Sequence, residues 1–267
     1  MNRTLFVHTL RQNRVRLLII TVAMALWGSL MPIIYAQFGV QFRSMMESGL
    51  IPKQFAEFGG GDIFTLPGSI ALGFIHPISL ILSSVFAVGF TTSAIAGERQ
   101  RGTLEVLLSR PLPRRVVYAT LLVCALLFVA IVMAGFLVGT VVSASINGVA
   151  SEIDPARIAL VWLNGVLLFG AVAAIGLAAS VSFDRLSPAL GITVAIVIVS
   201  YFLEILGSLW PDAERLQPYS LFHYLQPRDV LSGTVAAFNF VLLAIVAGVA
   251  IVAALAIFPR RDLAAPS

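Results

Sequence analysis

The chain has 267 residues, 59% hydrophobic and 11% charged, with a mean hydropathy of +0.97. A soluble domain carries about 25% charged residues, so the composition excludes a water-soluble globular protein and implies an integral membrane one. The net charge of +4 comes from arginines in short loops, with no basic stripe of the kind a nucleic acid needs. The single cysteine, Cys124, has no disulfide partner in the chain and reads as a small buried hydrophobe.

Residues 1–16 mix Leu5, Phe6 and Leu10 with Arg3, Arg11, Arg14 and Arg16, a pattern that predicts a short helix lying on the inner leaflet. A membrane helix needs ~20 apolar residues, and six segments reach that length. They are Leu17–Ala36, Ser69–Ala96, Val116–Val142, Ile158–Ser182, Pro188–Leu209 and Val235–Phe258. The first exceeds a signal-peptide core of ~7–15 residues and no small-x-small site follows it, so it is read as an uncleaved span. The second holds His76-Pro77, where the proline either starts the helix proper or kinks it. Its hydroxyls (Ser79, Ser83, Ser84, Thr91, Thr92, Ser93) are expected to bond back to their own helix or to join helices. Gly135-x-x-x-Gly139 in the third span allows close packing, but such spacing is common in glycine-rich spans and assigns nothing.

Cation counting sets the orientation. With both termini inside, twelve arginines lie on the inner side, against Arg43, Lys53, Arg157, Arg215 and Arg228 outside. Residues 37–68 combine several Phe and Met with acids and a Gly59-Gly60-Gly61 hinge, and predict an amphipathic helix at the outer interface followed by a link. Residues 210–234 carry Trp210, Tyr219, Phe222, His223 and Tyr224, an aromatic belt at headgroup depth. The turn Asp184-Arg185 between spans four and five is expected to be solvated.

The most charged passage between spans is Gly97-Glu98-Arg99-Gln100-Arg101-Gly102-Thr103-Leu104-Glu105-Val106-Leu107-Leu108-Ser109-Arg110-Pro111. Leu104, Leu107 and Leu108 recur at helical spacing; Gly102 ends the preceding helix, and Pro111 and Pro113 stop the short one. The passage predicts a short amphipathic helix on the cytoplasmic face, a shape that docks into a soluble partner. It resembles the loop after the second helix in permease subunits of ABC-2 type transporters, with Gln100 where an acid is common and Pro113 where Ser is common. Ser220-x-Phe222-x-Tyr224 before the last span and the tail Phe258-Pro259-Arg260-Arg261-Asp262-Leu263 are similar to further parts of that family.

The resemblance implies one all-α transmembrane domain over 1–267, with an N-terminal elbow helix, a coupling helix between helices 2 and 3, and a re-entrant element before helix 6. It implies a bacterial inner-membrane exporter for hydrophobic or amphipathic cargo such as drugs, antibiotics or lipids. Two ABC ATPase subunits, a second or homologous permease copy, and membrane lipid are the implied partners. ATPase coupling falls on Glu98, Arg99, Gly102, Thr103, Leu104, Glu105, Leu107 and Leu108. The cargo path falls on Ser83, Phe86, Phe90, Tyr201 and Glu204.

The residues themselves contain no Gly-x-x-x-x-Gly-Lys-Ser/Thr loop, and the one lysine, Lys53, stands in an outer loop. No nucleotide site of this type is expected in the chain; ATP and Mg2+ would belong to the partner. His8, His76 and His223 stand alone in sequence, without zinc spacing, and no Ser sits in a nucleophile elbow, so an enzyme is not expected. Glu204 is the one ionisable residue expected inside a span. It is either protonated or snorkels outward, with Arg215 as a partner, or it faces a central cavity and favours cationic or hydrogen-bonding cargo. The rival function is an ion-coupled carrier or channel working without an ATPase, which would ordinarily carry several such groups at broken helices.

Overall fold

The computed structural model describes residues 1–48, 65–103 and 112–261. Among these, the chain is helical and has no strand. The helices are α1 (Arg3–Glu47), α2 (Leu66–Ile75), α3 (Pro77–Ser84), α4 (Arg114–Ile146), α5 (Pro155–Ser182), α6 (Leu186–Leu209), α7 (Pro227–Ser232) and α8 (Ala237–Arg260). Five of them are long and apolar enough to cross a membrane. The bent pair formed by α2 and the α3 segment makes a sixth span when counted as one.

α5 is the central post: its buried face runs from Val161 to Val181, and α4, α6, α8 and the second span pack around it. By contrast α6 and α8 turn apolar side chains such as Ile198, Phe202, Ile245 and Val252 outward. Apolar residues on the outside are what lipid or a further membrane helix requires.

Two prolines break the helical ladder and set the geometry. A proline has no N–H, so the carbonyl four residues earlier loses its donor. Pro32 lies inside α1 and frees the carbonyl of Gly28; the Thr140 hydroxyl of α4 donates to it at 3.1 Å. Pro77 frees the carbonyl of Gly73, which instead accepts the indole N–H of Trp27 at 2.9 Å and the hydroxyl of Ser79 at 2.6 Å. His76, forced into an extended conformation by the following proline, separates α2 from α3, and the span bends by 47° there.

Beyond α3 the span passes through two π-form turns, Val85–Phe90 and Ser93–Gly97, before a last helical turn, Glu98–Gln100. In lipid no water is present to satisfy freed backbone groups, so a neighbouring helix must. Both proline breaks obey that rule.

Several expectations need correction. The first sixteen residues are not a separate elbow: α1 runs unbroken from Arg3 to Glu47. Its 45 residues extend about 67 Å at 1.5 Å per residue. The Asn2 amide bonds the Thr120 hydroxyl at 2.9 Å, so this end of α1 packs along the first turns of α4 instead of lying flat. Gly135-x-x-x-Gly139 carries the closest glycine-mediated approach among the described residues. A Cβ on Gly139 would sit 1.9 Å from the Ala25 carbonyl oxygen, and one on Gly135 would sit 2.8 Å from the Thr21 carbonyl oxygen. Most of the expected outer helix-and-link, residues 49–64, lies outside the described residues.

Candidate functional site

The end of the second span is built as a helix cap. Gly102 takes φ +73°, which only glycine adopts without strain. The Thr103 amide then donates to the Glu98 carbonyl at 3.0 Å and the Gly102 amide to the Arg99 carbonyl at 2.9 Å, the paired bonds of a left-handed helix terminus. Thr103 also donates its hydroxyl to the Glu98 carboxylate, whose other oxygen pairs with Arg101. Glu98, Gly102 and Thr103 are therefore engaged within one turn.

Arg99 and Gln100 tie this turn to the rest of the bundle. The Arg99 side chain is only 10% exposed and meets Asp184 at 2.6 Å. Asp184 also holds Arg261, whose second nitrogen donates to the Val181 carbonyl at 2.6 Å. The Leu186 amide, opening α6, donates to the Gln100 side-chain oxygen at 2.9 Å. Arg114, opening α4, reaches the Arg261 carbonyl at 2.6 Å and that of Phe258 at 3.3 Å. The Asp184 turn is exposed to solvent, as expected, and is also a joint between spans two, four, five and six. Leu104, Glu105, Leu107 and Leu108, expected to form the coupling helix, lie outside the described residues, as do Asp262 and Leu263.

A cavity of about 600 Å³ opens beside this arginine-rich end, between the start of α1 and the second span. Phe90 lines it, with His8, Asn13, Arg16, Glu98 and Arg101. The Arg16 guanidinium donates to the Val85 carbonyl at 3.2 Å and lies 5.4 Å from the centre of the Phe86 ring.

A second cavity, about 240 Å³, lies at the opposite, aromatic end, between the α2–α3 break, α6 and the short helices before α8. Tyr201, Glu204, His76 and His223 line it. Glu204 is 28% exposed, its Oε2 atom is buried without a hydrogen-bond donor, and the nearest ionisable group is His223 at 3.7 Å. That partner is His223 and not Arg215. His76 and His223, isolated in sequence, face one cavity. Burial lowers the pKa of His223 from its ordinary value.

The five expected path residues are not brought together. Ser83 and Phe86 are fully packed, Ser83 donating to the Ser79 carbonyl and Phe86 stacking on Phe128. Phe90 borders the first cavity, while Tyr201 and Glu204 border the second.

The Ser220-Phe222-Tyr224 pattern is an anchoring device. Ser220 donates to the Ser200 carbonyl of α6 at 2.7 Å and accepts the Phe222 amide at 3.0 Å. Phe222 is buried against Tyr201 and Phe169. The Tyr224 hydroxyl closes onto the Pro218 carbonyl at 2.8 Å.

The sequence pattern of the family described as ABC-2 family transporter protein matches residues 8–263. The chain belongs to that family. It is a multi-pass ABC-2 permease, of a class that typically associates with an ABC ATPase subunit. No protein of curated function matches it.

Two structural residues of this ABC-2 permease escaped the sequence reading. Asn164, buried in α5, donates to the Tyr224 carbonyl at 3.0 Å and accepts the Gln226 amide at 3.1 Å, clamping the segment before α8. Ser180, also in α5, bonds three backbone groups of the second span. The available signals were an amide inside an apolar span and the small-residue spacing Gly176-x-x-x-Ser180. Arg16 reads in sequence as an inner-side cation of an interfacial helix, although its guanidinium reaches the middle of the second span.

Proposed function

We propose that this ABC-2 permease is the membrane subunit of an ATP-driven exporter, with its arginine-rich end and both termini in the cytoplasm of a bacterial inner membrane. Two ATPase subunits would engage the segment 104–110, and a second permease copy would pack against the exposed face of α6. The cargo is hydrophobic or amphipathic, in keeping with an apolar bundle that carries aromatic residues at its outer end.

The observation that carries this reading is the joint at Asp184. A push on 104–110 arrives first at the Gly102 cap. From there Arg99–Asp184 and Gln100–Leu186 lead to spans four and five, and Arg261 to the last span. A segment attached this way transmits displacement to several helices at once, whereas a solvated loop would absorb it.

The test is coupling. In liposomes holding permease and ATPase, Glu98→Ala and Gly102→Pro should insert normally and lose transport per ATP hydrolysed. Full transport in both variants rejects the joint. The break at His76-Pro77 beside Glu204 is a feature that ion-coupled carriers also show. Accumulation of solute against a gradient by the permease alone, driven by an ion gradient, would establish that rival instead.

A further inference from the structure

We infer that the cavity beside the arginine-rich end is a binding site for the phosphate of an anionic phospholipid, with Arg16 as the residue that recognises it. The reasoning begins with charge. Among the described residues, four titratable side chains line the cavity: His8, Arg16, Glu98 and Arg101. Glu98 and Arg101 are an ion pair, so their charges cancel. Among the described residues, no carboxylate forms an ion pair with Arg16. Its partners are one backbone carbonyl, at 3.2 Å, and the face of Phe86. A guanidinium carries five N–H donors in a fixed fork, so most of its capacity faces the cavity.

The neighbours fit the same ligand. Asn2, Thr4, Gln12 and Asn13 supply neutral hydrogen-bonding groups along one face of α1, while Phe90, Leu112 and Leu121 supply apolar wall. A lining that is polar along one helix and apolar opposite accommodates a headgroup together with the start of its acyl chains. Volume points the same way, since about 600 Å³ exceeds what a bare inorganic anion fills. Lipid is also at hand: Leu18, Ile19, Val22 and Leu26, just beyond Arg16, are exposed on the outside of α1. Basic pockets between membrane helices commonly take acidic headgroups.

The position gives the site a consequence. Glu98, Arg101 and Thr103 line it, and they belong to the helix cap that precedes segment 104–110. A bound headgroup would therefore brace the turn through which, on the reading above, the ATPase acts. That consequence rests on the coupling proposal; binding itself does not.

The experiment uses the purified permease without any ATPase, so its outcome is silent on coupling. Native mass spectrometry compares retention of phosphatidylglycerol with that of phosphatidylcholine, whose choline neutralises the phosphate. The wild-type chain should retain phosphatidylglycerol at least about tenfold better, Arg16→Gln should abolish the preference, and Arg16→Lys should restore part of it. Arg101→Gln should matter less, because its charge is already paired. Equal retention of both lipids by the wild type, a measurement needing no variant, overturns the inference, as does an unchanged preference in Arg16→Gln. Displacement of phosphatidylglycerol by millimolar inorganic phosphate alone would make the site one for a free anion and overturn its assignment to lipid.

Discussion

The Ser180 hydroxyl of α5 stands between the Thr92 carbonyl and the Ala96 amide, the pair that an uninterrupted α-helix would join directly. It donates to the first at 2.7 Å and accepts the second at 2.9 Å, with the Ile95 amide at 3.1 Å. A side chain inserted into the ladder is one of the recognised causes of a helix distortion. Here it coincides with the π-form turn Ser93–Gly97 and sits next to the Glu98–Thr103 cap. One turn earlier, Gly176 lets α5 approach so closely that a Cβ would fall 2.2 Å from the Thr91 hydroxyl oxygen.

Ser180→Ala should therefore act on the second span and not on α5. Leaving buried backbone groups unsatisfied costs about 1–3 kcal/mol each, but the span can recover the Thr92–Ala96 bond by returning to α form. The net loss should be about 1–2 kcal/mol by thermal unfolding in detergent. Hydrogen exchange at the Ile95 and Ala96 amides should rise, while that at the start of α5 stays unchanged. Uniform acceleration across the bundle would show that the hydroxyl has no such local role.

Gly139 and Gly248 make a matched pair for testing the α1–α4 contact. A methyl on Gly139 meets the Ala25 backbone at 1.9 Å, where nothing can rotate away; at Gly248 there is nothing within 4 Å. Gly139→Ala should cost more than about 2 kcal/mol, in the range of overpacked cores. Gly248→Ala should be neutral, or stabilising by up to about 1 kcal/mol through helix propensity. Melting temperatures of the two variants decide it, and a neutral Gly139→Ala would mean the helices are not in this contact.

That contrast also shows what was legible in the sequence. Hydropathy placed the helices because a bilayer demands long apolar runs, and Gly102 announced a helix end by its own backbone chemistry. Which glycine pair matters was not legible, since Gly135-x-x-x-Gly139 becomes informative only when Thr21 and Ala25 are seen against it. Likewise Asp184 reads as a turn residue until Arg99 and Arg261, distant in sequence, converge on it. Arg16 reads as part of a separate interfacial helix because the apolar run begins only at Leu17, whereas α1 continues through both.

The cap at Gly102 predicts a graded series. Gly102→Ala should cost about 1 kcal/mol, because nothing crowds the site and only the positive φ is at stake. Gly102→Asn should cost less, since Asn tolerates that conformation. Protection of the Thr103 amide should follow the same order, and so should transport per ATP in the coupled system. Equal behaviour of Ala and Asn would remove backbone conformation as the reason for this glycine.

His223 supplies a pH dependence. Its folded-state pKa is lowered by burial, so the folded chain resists a proton that the unfolded chain accepts near pH 6.5. Stability contributed by this group is complete above that value and declines as the pH falls through and below it. Glu204, His76, Arg228 and Asp229 border the same cavity. The segment from Pro211 to Ser232 should therefore exchange amide hydrogens faster at pH 5 than at pH 7.5, and His223→Gln should remove most of the difference. A pH response unaltered in that variant would assign it to another group.

The Gly73 carbonyl allows the sharpest test, because its missing partner can be supplied. Pro77 deprives it of an N–H, and Trp27 and Ser79 donate in its place. Trp27→Phe with Ser79→Ala should leave the oxygen buried and bare, at a cost of about 2–3 kcal/mol. Adding Pro77→Ala restores an N–H four residues on, where an α-helix uses it. The triple variant should regain at least about 1 kcal/mol over the double, and the 47° bend at His76 should straighten. Pro77→Ala alone should gain little, since the carbonyl is already satisfied. Thermal unfolding of the four proteins gives the coupling energy, and distances between spin labels on α2 and α3 report the bend. Strict additivity of the three changes would mean that Trp27 and Ser79 do not replace the proline's missing bond.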